Sequence, residues 1–248
     1  MLPALLRNSF NSLGDLLFPP TCHICGEILR RGMNTFDANI CRPCAASFEA
    51  TPVTSCRHCS ASLNQEDDLK TLRCVACSRI PEPAYERLTA CYLYKDGVRH
   101  LIHKLKYANR PYLTKTLERL IQNRLAPGFN FKQFDALVPI PLHPARLRER
   151  EFNQAELIAR QIGVRCERPV LSALRRTKRT RPQSLLDEKT RWANMENAFD
   201  VTRPALIKGK NLLLIDDIVT TTATTRAASL CLKNAGVASV SVLAFAKG

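Results

Sequence analysis

Two adjacent carboxylates, Asp216 and Asp217, and the run Thr220, Thr221, Thr222, Ala223 and Thr224 just after them carry the clearest chemistry in this sequence. Neighbouring carboxylate acceptors match the 2′ and 3′ hydroxyls of a ribose. A threonine-rich loop opening a helix offers backbone N–H groups, hydroxyls and the positive end of a helix dipole, which together suit a phosphate dianion. The elements that must position these groups lie on either side. Leu212 to Ile215 is a wholly apolar run, as in strands buried on both faces of a parallel sheet, and it predicts a strand that ends at the two acids. Beyond the loop, apolar residues through Leu230 and Leu232 predict a helix that stops near Gly236. Open α/β sheets bind ligands at the carboxyl ends of their strands, so this order predicts a cup for a ribose 5-phosphate. An ordinary surface turn has no need of two ionised groups directly after an apolar strand.

Eight of the eleven cysteines form four C-x-x-C pairs, Cys22/Cys25, Cys41/Cys44, Cys56/Cys59 and Cys74/Cys77. Two thiolates on one tight turn can share a metal and two pairs complete a tetrahedron, so a segment with little core of its own can be stabilised by structural Zn2+. Fifteen residues separate the first two pairs and fourteen the last two, a zinc-ribbon spacing used twice. Two sites assembled in sequence are favoured over a cross-braced pair. A disulfide framework calls for an oxidising compartment and a secretory signal. The first nineteen residues instead carry a helix-like stripe of Leu5, Leu6, Phe10, Leu13, Leu16 and Leu17, read as a docking helix ended by Pro19 and Pro20. His23 and His58 are expected to be exposed neighbours of the cysteine turns, and Cys91, Cys166 and Cys231 to be core thiols.

A chain of 248 residues can hold one full-sized domain and a small one, and a proline- and charge-rich stretch over residues 78–87 places the boundary near residue 85. The expected units are therefore 1–85 and 86–248. No apolar run reaches membrane-spanning length, which predicts no transmembrane segment. Charge is uneven: residues 1–90 hold nine Lys/Arg against nine Asp/Glu, so the whole formal charge of +15 falls on the second unit. A surface of that sign attracts phosphorylated ligands, nucleic acid or an anionic membrane.

Within the second unit, Ala90 to Tyr94 alternates as a strand. Val98, Leu101, Ile102 and Leu105 follow helical spacing, with Arg99, His100, His103, Lys104 and Lys106 on the wetter side, and Leu113, Leu117, Leu120 and Ile121 mark a second helix. Phe134 to Pro141 predicts a buried strand. Arg146, Arg148 and Arg150, at alternating positions, are expected in a loop around one anion, ahead of a helix carrying Leu157, Ile158 and Ile162. Residues 175–191 hold seven basic residues against Asp187 and Glu188 and have little to bury, which predicts a mobile loop or a nucleic-acid contact.

The stretch Leu-Leu-Leu-Ile-Asp-Asp-Ile-Val-Thr-Thr-Thr-Ala-Thr, residues 212–224, resembles the phosphoribosyl-pyrophosphate (PRPP) motif of type I phosphoribosyltransferases. Residues 139–154, Pro-Ile-Pro-Leu-His-Pro-Ala-Arg-Leu-Arg-Glu-Arg-Glu-Phe-Asn-Gln, are similar to a signature of the ComF/GntX family, phosphoribosyltransferase-like proteins with an N-terminal zinc ribbon. The Leu-Leu opening before Cys22, Lys104-Leu-Lys-Tyr and residues 179–199 resemble that family too. The resemblance implies an α/β fold, a type I phosphoribosyltransferase-like parallel sheet flanked by helices behind a small double zinc-ribbon domain. It implies that Asp216 and Asp217 meet the ribose as the acids of any catalysis, and that Thr220 to Thr224 hold the 5′-phosphate. His143, Arg146, Arg148, Arg150 and Asn153 would form the pyrophosphate loop, and Arg179, Arg181, Gln183 and Arg191 a flexible closing loop. Two positions depart from the pattern: Thr222 and Glu151 stand where the family has glycine, a residue free to adopt left-handed backbone.

The resemblance further implies a cytoplasmic competence protein that binds PRPP with Mg2+ and supports uptake or handling of incoming single-stranded DNA in natural transformation, beside other DNA-uptake proteins. Two other readings are an active phosphoribosyltransferase that releases pyrophosphate, and a zinc-ribbon nucleic-acid binder with a PRPP-sensing pocket. Thr222 and Glu151 alter positions where backbone meets phosphate, and this ranks ligand binding above turnover.

Overall fold

The second cysteine pair of each ribbon opens a short helix. Cys41 and Cys74 sit at N-cap positions with extended backbone, and neither side chain makes a capping hydrogen bond. The structure, a computed structural model, describes residues 18–29, 35–37, 39–80, 84–108, 110–125, 129–178 and 197–248. Nearly all of the expected docking helix lies outside these residues, as do Arg179, Arg181, Gln183, Arg191 and Trp192.

In chain order the ribbon region contains β1 (Thr35–Asp37), β2 (Ile40–Cys41), α1 (Arg42–Ala46) and α2 (Val75–Ser78), with β1 and β2 antiparallel. Then follow β3 (Leu88–Leu93), α3 (Asp96–Tyr107), α4 (Leu113–Arg124), β4 (Ala136–Pro139), α5 (Pro144–Arg150) and α6 (Gln154–Cys166). The chain ends with β5 (Leu174–Arg176), β6 (Phe199–Val201), β7 (Asn211–Val219), α7 (Ala223–Asn234) and β8 (Ser239–Lys247).

Four strands form one sheet in the order β3-β8-β7-β4, every pairing parallel. β7 is central, and this is why Leu212 to Ile215 carries no polar side chain. Leu213 and Ile215 join the core under α3, α4 and α6, whereas Leu212 and Leu214 join the one formed with α7, β5 and β6. The strand does not stop at the acids, as the sequence suggested. Its pairing with β8 runs on through Asp216↔Ala244 to Val219↔Lys247, because a backbone ladder takes no account of side-chain charge. Alternation along a strand therefore sends Asp216 and Asp217 to opposite faces of the sheet.

The arginine segment differs as well. His143 caps and Pro144 begins a seven-residue helix, α5, where a loop was expected, since proline at a first helical position loses no hydrogen bond. The antiparallel pair β5 and β6, three residues each, was not foreseen.

Both ribbons are hydrogen-bonded to the sheet unit. Lys104 Nζ donates to the carbonyls of His23 (3.1 Å) and Ile24 (2.8 Å) in the first cysteine turn. Gly97 at the start of α3 lies so close to the Ser47 hydroxyl and the Phe48 ring that a methyl group there would collide with both. In the second ribbon, Leu88 N donates to Arg57 O at 2.7 Å, and Ser60 Oγ donates to Leu88 O at 2.8 Å while accepting from Ala90 N at 3.1 Å. Among the described residues no helix is long and apolar enough to cross a membrane.

Candidate functional site

Cys22, Cys25, Cys41 and Cys44 place one sulfur each within 4.8 Å of one another, and Cys56, Cys59, Cys74 and Cys77 do the same. The pairing is thus sequential. Backbone N–H groups of Ile24 and Cys41 point at Cys22 Sγ (3.4 and 3.5 Å), and that of Cys74 at Cys56 Sγ (3.4 Å). Four thiols so crowded cannot all ionise without a cation. Hydrogen bonds from Cys59 and Cys77 draw Cys56 well below the ordinary thiol range, while hydrogen bonding to Cys56 and Cys59, then burial, push Cys77 far above it. A doubly charged tetrahedral ion resolves that conflict, and a four-sulfur donor set is a structural Zn2+ set. Neither histidine belongs to a cluster, but neither is simply exposed. His23 Nδ1 lies 3.2 Å from Thr116 Oγ1 and its ring meets Tyr112 edge-on at 5.3 Å. The His58 carbonyl accepts a hydrogen bond from Tyr85 Oη at 2.6 Å. Cys91 is a core thiol as expected, whereas Cys166 and Cys231 are only partly buried.

At the carboxyl end of β7, Asp217 is taken by Lys106 from the last turn of α3: Nζ to Oδ2 is 2.8 Å, with the side chains only 16% and 12% exposed. Asp216 lies within the electrostatic reach of Arg176 and of Lys106. Removal from water, and next the Asp217 charge, push the Asp216 carboxyl up to about 8, against the opposing pull of those cations and of the Asp217 N–H. Arg176 is aligned opposite Phe199 in the β5–β6 pair, its guanidinium 5.6 Å from that ring, and Arg146 acts on it from α5.

The threonine turn follows. Thr222 is the N-cap of α7 in a left-handed conformation, φ 62°, its carbonyl accepting from Thr225 Oγ1 at 2.8 Å. Ala223 and Thr224 are already helical, so the turn proper is Thr220 to Thr222. The Thr221 hydroxyl is buried without a hydrogen-bond partner among the described residues. A hydroxyl enclosed in this way beside the start of a twelve-residue helix is suited to an anion.

The expected pyrophosphate residues are divided by α5. Arg146 and Arg150, four residues apart, share a face, and Arg148 points elsewhere and is exposed. Arg150 Nη1 reaches Gln154 Oε1 at 3.4 Å and stands 5.5 Å over the Tyr107 ring. His143 accepts the Ala145 N–H (3.2 Å), and Asn153 caps α6 through Ala155 N (3.1 Å) while donating to Ile140 O (3.0 Å). These two hold the chain rather than project into open space. Glu151, like Thr222, is left-handed, φ 64°. His100 and His103 are exposed, the second packed on Tyr107 with ring centroids 4.5 Å apart.

Residues 13–78 match a family described as Double zinc ribbon domain. Over 235 residues, 92% of this chain and 96% of the relative, the sequence is 30% identical to "DNA utilization protein YhgH" of Escherichia coli (strain K12). It is 27% identical over 216 residues to "Competence protein F" of Haemophilus influenzae, covering 84% of this chain and 90% of that one. The chain belongs to the ComF family. A further member, "Competence protein ComFC" of Bacillus subtilis, is 30% identical over 149 residues, 59% of this chain and 58% of that one. In this ComF-family chain the residues whose contacts sequence reasoning did not place are Lys106, Arg176 and Tyr85. Lys106 sits in the Lys104-Leu-Lys-Tyr segment already singled out by resemblance, and its place in the last turn of a helix was the available signal. Arg176 was counted in the basic 175–191 segment expected to be a mobile loop, but it closes strand β5 opposite Phe199, and nothing local marked Tyr85.

Proposed function

We propose that the β7–α7 turn binds PRPP with Mg2+, and that this chain serves the handling of incoming single-stranded DNA in the cytoplasm during natural transformation. The observation that carries the first part is the Thr220 to Thr222 turn, with its enclosed Thr221 hydroxyl at the head of α7. Lys106, Arg176 and Arg146 give the neighbourhood of the acids a positive surround that suits a polyphosphate. Near pH 7 a carboxyl with the raised value of Asp216 is largely protonated and can donate to a ribose oxygen. Asp217, shared with Lys106, offers an acceptor to a second ribose hydroxyl if the sugar straddles the carboxyl edge of the sheet, where both faces can be reached. Mg2+ would arrive on the pyrophosphate and neutralise part of its charge.

The second part is supported by the relatives named for competence and DNA utilization, and by the basic balance of residues 86–248, which we treat as the PRPP-binding unit behind a ribbon unit of residues 1–85. Binding ranks above phosphoribosyl transfer because Glu151 sets a carboxylate at the end of α5, beside the arginines expected to take pyrophosphate. Calorimetry with PRPP and Mg2+ tests the pocket: wild type binds, and Asp216→Ala/Asp217→Ala does not. Equal heats from both proteins would refute it. Single-stranded DNA binding across a salt series tests the second part. Replacement of Arg179, Arg181 and Arg191 by Ala lowers the salt slope if the segment lies along the backbone, and an unchanged slope argues against it.

A further inference from the structure

We infer that Tyr85 is a positioning residue that locks the phosphate turn to the second cysteine ribbon, an inference that rests on Thr220 to Thr224 being a phosphate site. Tyr85 is 4% exposed and donates to the carbonyl of His58, inside the Cys56-x-x-Cys59 turn, at 2.6 Å. On its other side Tyr85 faces Thr222, at the head of α7. Between the two lies a gap of about 20 Å3 lined by His58, Arg73, Tyr85, Thr222 and Arg226, room for a single water at most. The Tyr85 side chain thus bonds to the backbone of the second cysteine turn and, across that gap, faces the start of α7.

The need for such a lock comes from Thr222. A β-branched residue at φ 62° is strained, and strain of that kind persists only where the surroundings over-determine it. Thr225 holds the Thr222 carbonyl from within α7. Tyr85 adds a hold from outside that helix, and its own anchor is firm. The Arg57 guanidinium binds Glu86 O at 3.1 and 3.2 Å, Leu88 N binds Arg57 O at 2.7 Å, and Ser60 is bonded to both Leu88 and Ala90. The Cys56 to Ser60 turn and residues 85–90 therefore move as one body. The first ribbon docks elsewhere, through Lys104 and Thr116 on α3 and α4. Order in the second metal site is in this way transmitted to the backbone that would receive a phosphate, and a glycine at position 222 would not need it.

The test is hydrogen exchange of peptides spanning residues 219–226 in the full chain, with zinc content and PRPP-Mg2+ affinity measured on the same samples. Tyr85→Phe keeps the ring and loses the bond to His58. It should retain zinc, exchange faster over 219–226, and bind PRPP roughly three- to tenfold more weakly, as for the loss of one buried hydrogen bond. In a Thr222→Gly background the same change should have little further effect on exchange, and Lys104→Ala, at the first ribbon, should leave 219–226 as in wild type. Unaltered exchange in Tyr85→Phe overturns the inference. So does an equal acceleration in the Thr222→Gly background, which would make Tyr85 general scaffold. Wild type that fails to bind PRPP while the exchange pattern holds sinks the phosphate reading instead, so the two failures are told apart.

Discussion

Replacing Lys106 by Met tests whether the acids of β7 lie in a closed, desolvated site. Lys106 is the one cation within salt-bridge distance of Asp217 among the described residues, at 2.8 Å, and Asp216 adds a second carboxyl next in the chain. Breaking a fully buried ion pair by removing one partner costs about 3–5 kcal/mol, because the survivor is left charged and unpaired. Here the partners keep 16% and 12% exposure, so water screens part of the loss and about 2–3 kcal/mol is expected for Lys106→Met at pH 7. The double variant Lys106→Met/Asp217→Asn leaves no orphaned charge and should recover most of that loss. Urea unfolding of the wild type, both single variants and the double variant gives a coupling energy, expected near 2 kcal/mol. A coupling under about 0.5 kcal/mol, the range of exposed surface pairs, would show instead that the acids stand in open water.

Three further outcomes follow from the same geometry. Thr222→Gly removes about 1–2 kcal/mol of left-handed strain against about 0.5–1 kcal/mol of added chain entropy, so the urea midpoint should rise slightly, and a marked fall would contradict the assignment of strain. Asp216 has a raised value, so its contribution to stability is full below the ordinary carboxylate value near 4 and is lost as pH climbs through about 8. Asp216→Asn should therefore gain on wild type progressively over that window, and unfolding curves that stay parallel across it would exclude the shift. Metal analysis of purified chain should find two zinc ions, one for each four-cysteine cluster, with Cys25→Ala reducing the count by one and leaving the second ribbon loaded.

The core of the fold was legible because burial on both faces writes itself into a strand: Leu212 to Ile215 and Ala136 to Val138 have no water-facing side to record. The sequential cysteine clusters were legible from spacing for a similar reason, since two knuckles separated by a short arm close on one another. The end of β7 was misread because the acids look like a terminus, whereas the parallel ladder with β8 continues beneath them. That continuation sets the carboxylates on opposite faces, which no composition argument reveals. α5 was misread although its signal was present, in a capping His143 ahead of Pro144, because the alternating arginines drew the interpretation toward a loop. Lys106, Arg176 and Tyr85 could not be assigned from local pattern, as Lys106 acts on Asp217, Arg176 on Asp216 and Tyr85 on His58, and only packing brings them together.

We propose β7 and the head of α7 as a seat for a phosphorylated ribose. A crystal structure of the chain with PRPP and Mg2+ bound tests it most directly. The 5′-phosphate should lie on the amides and hydroxyls of Thr220 to Thr224, with the ribose hydroxyls at Asp216 and Asp217. Density for the ligand confined to the exposed arginines of α5, with the threonine turn in water, would contradict it.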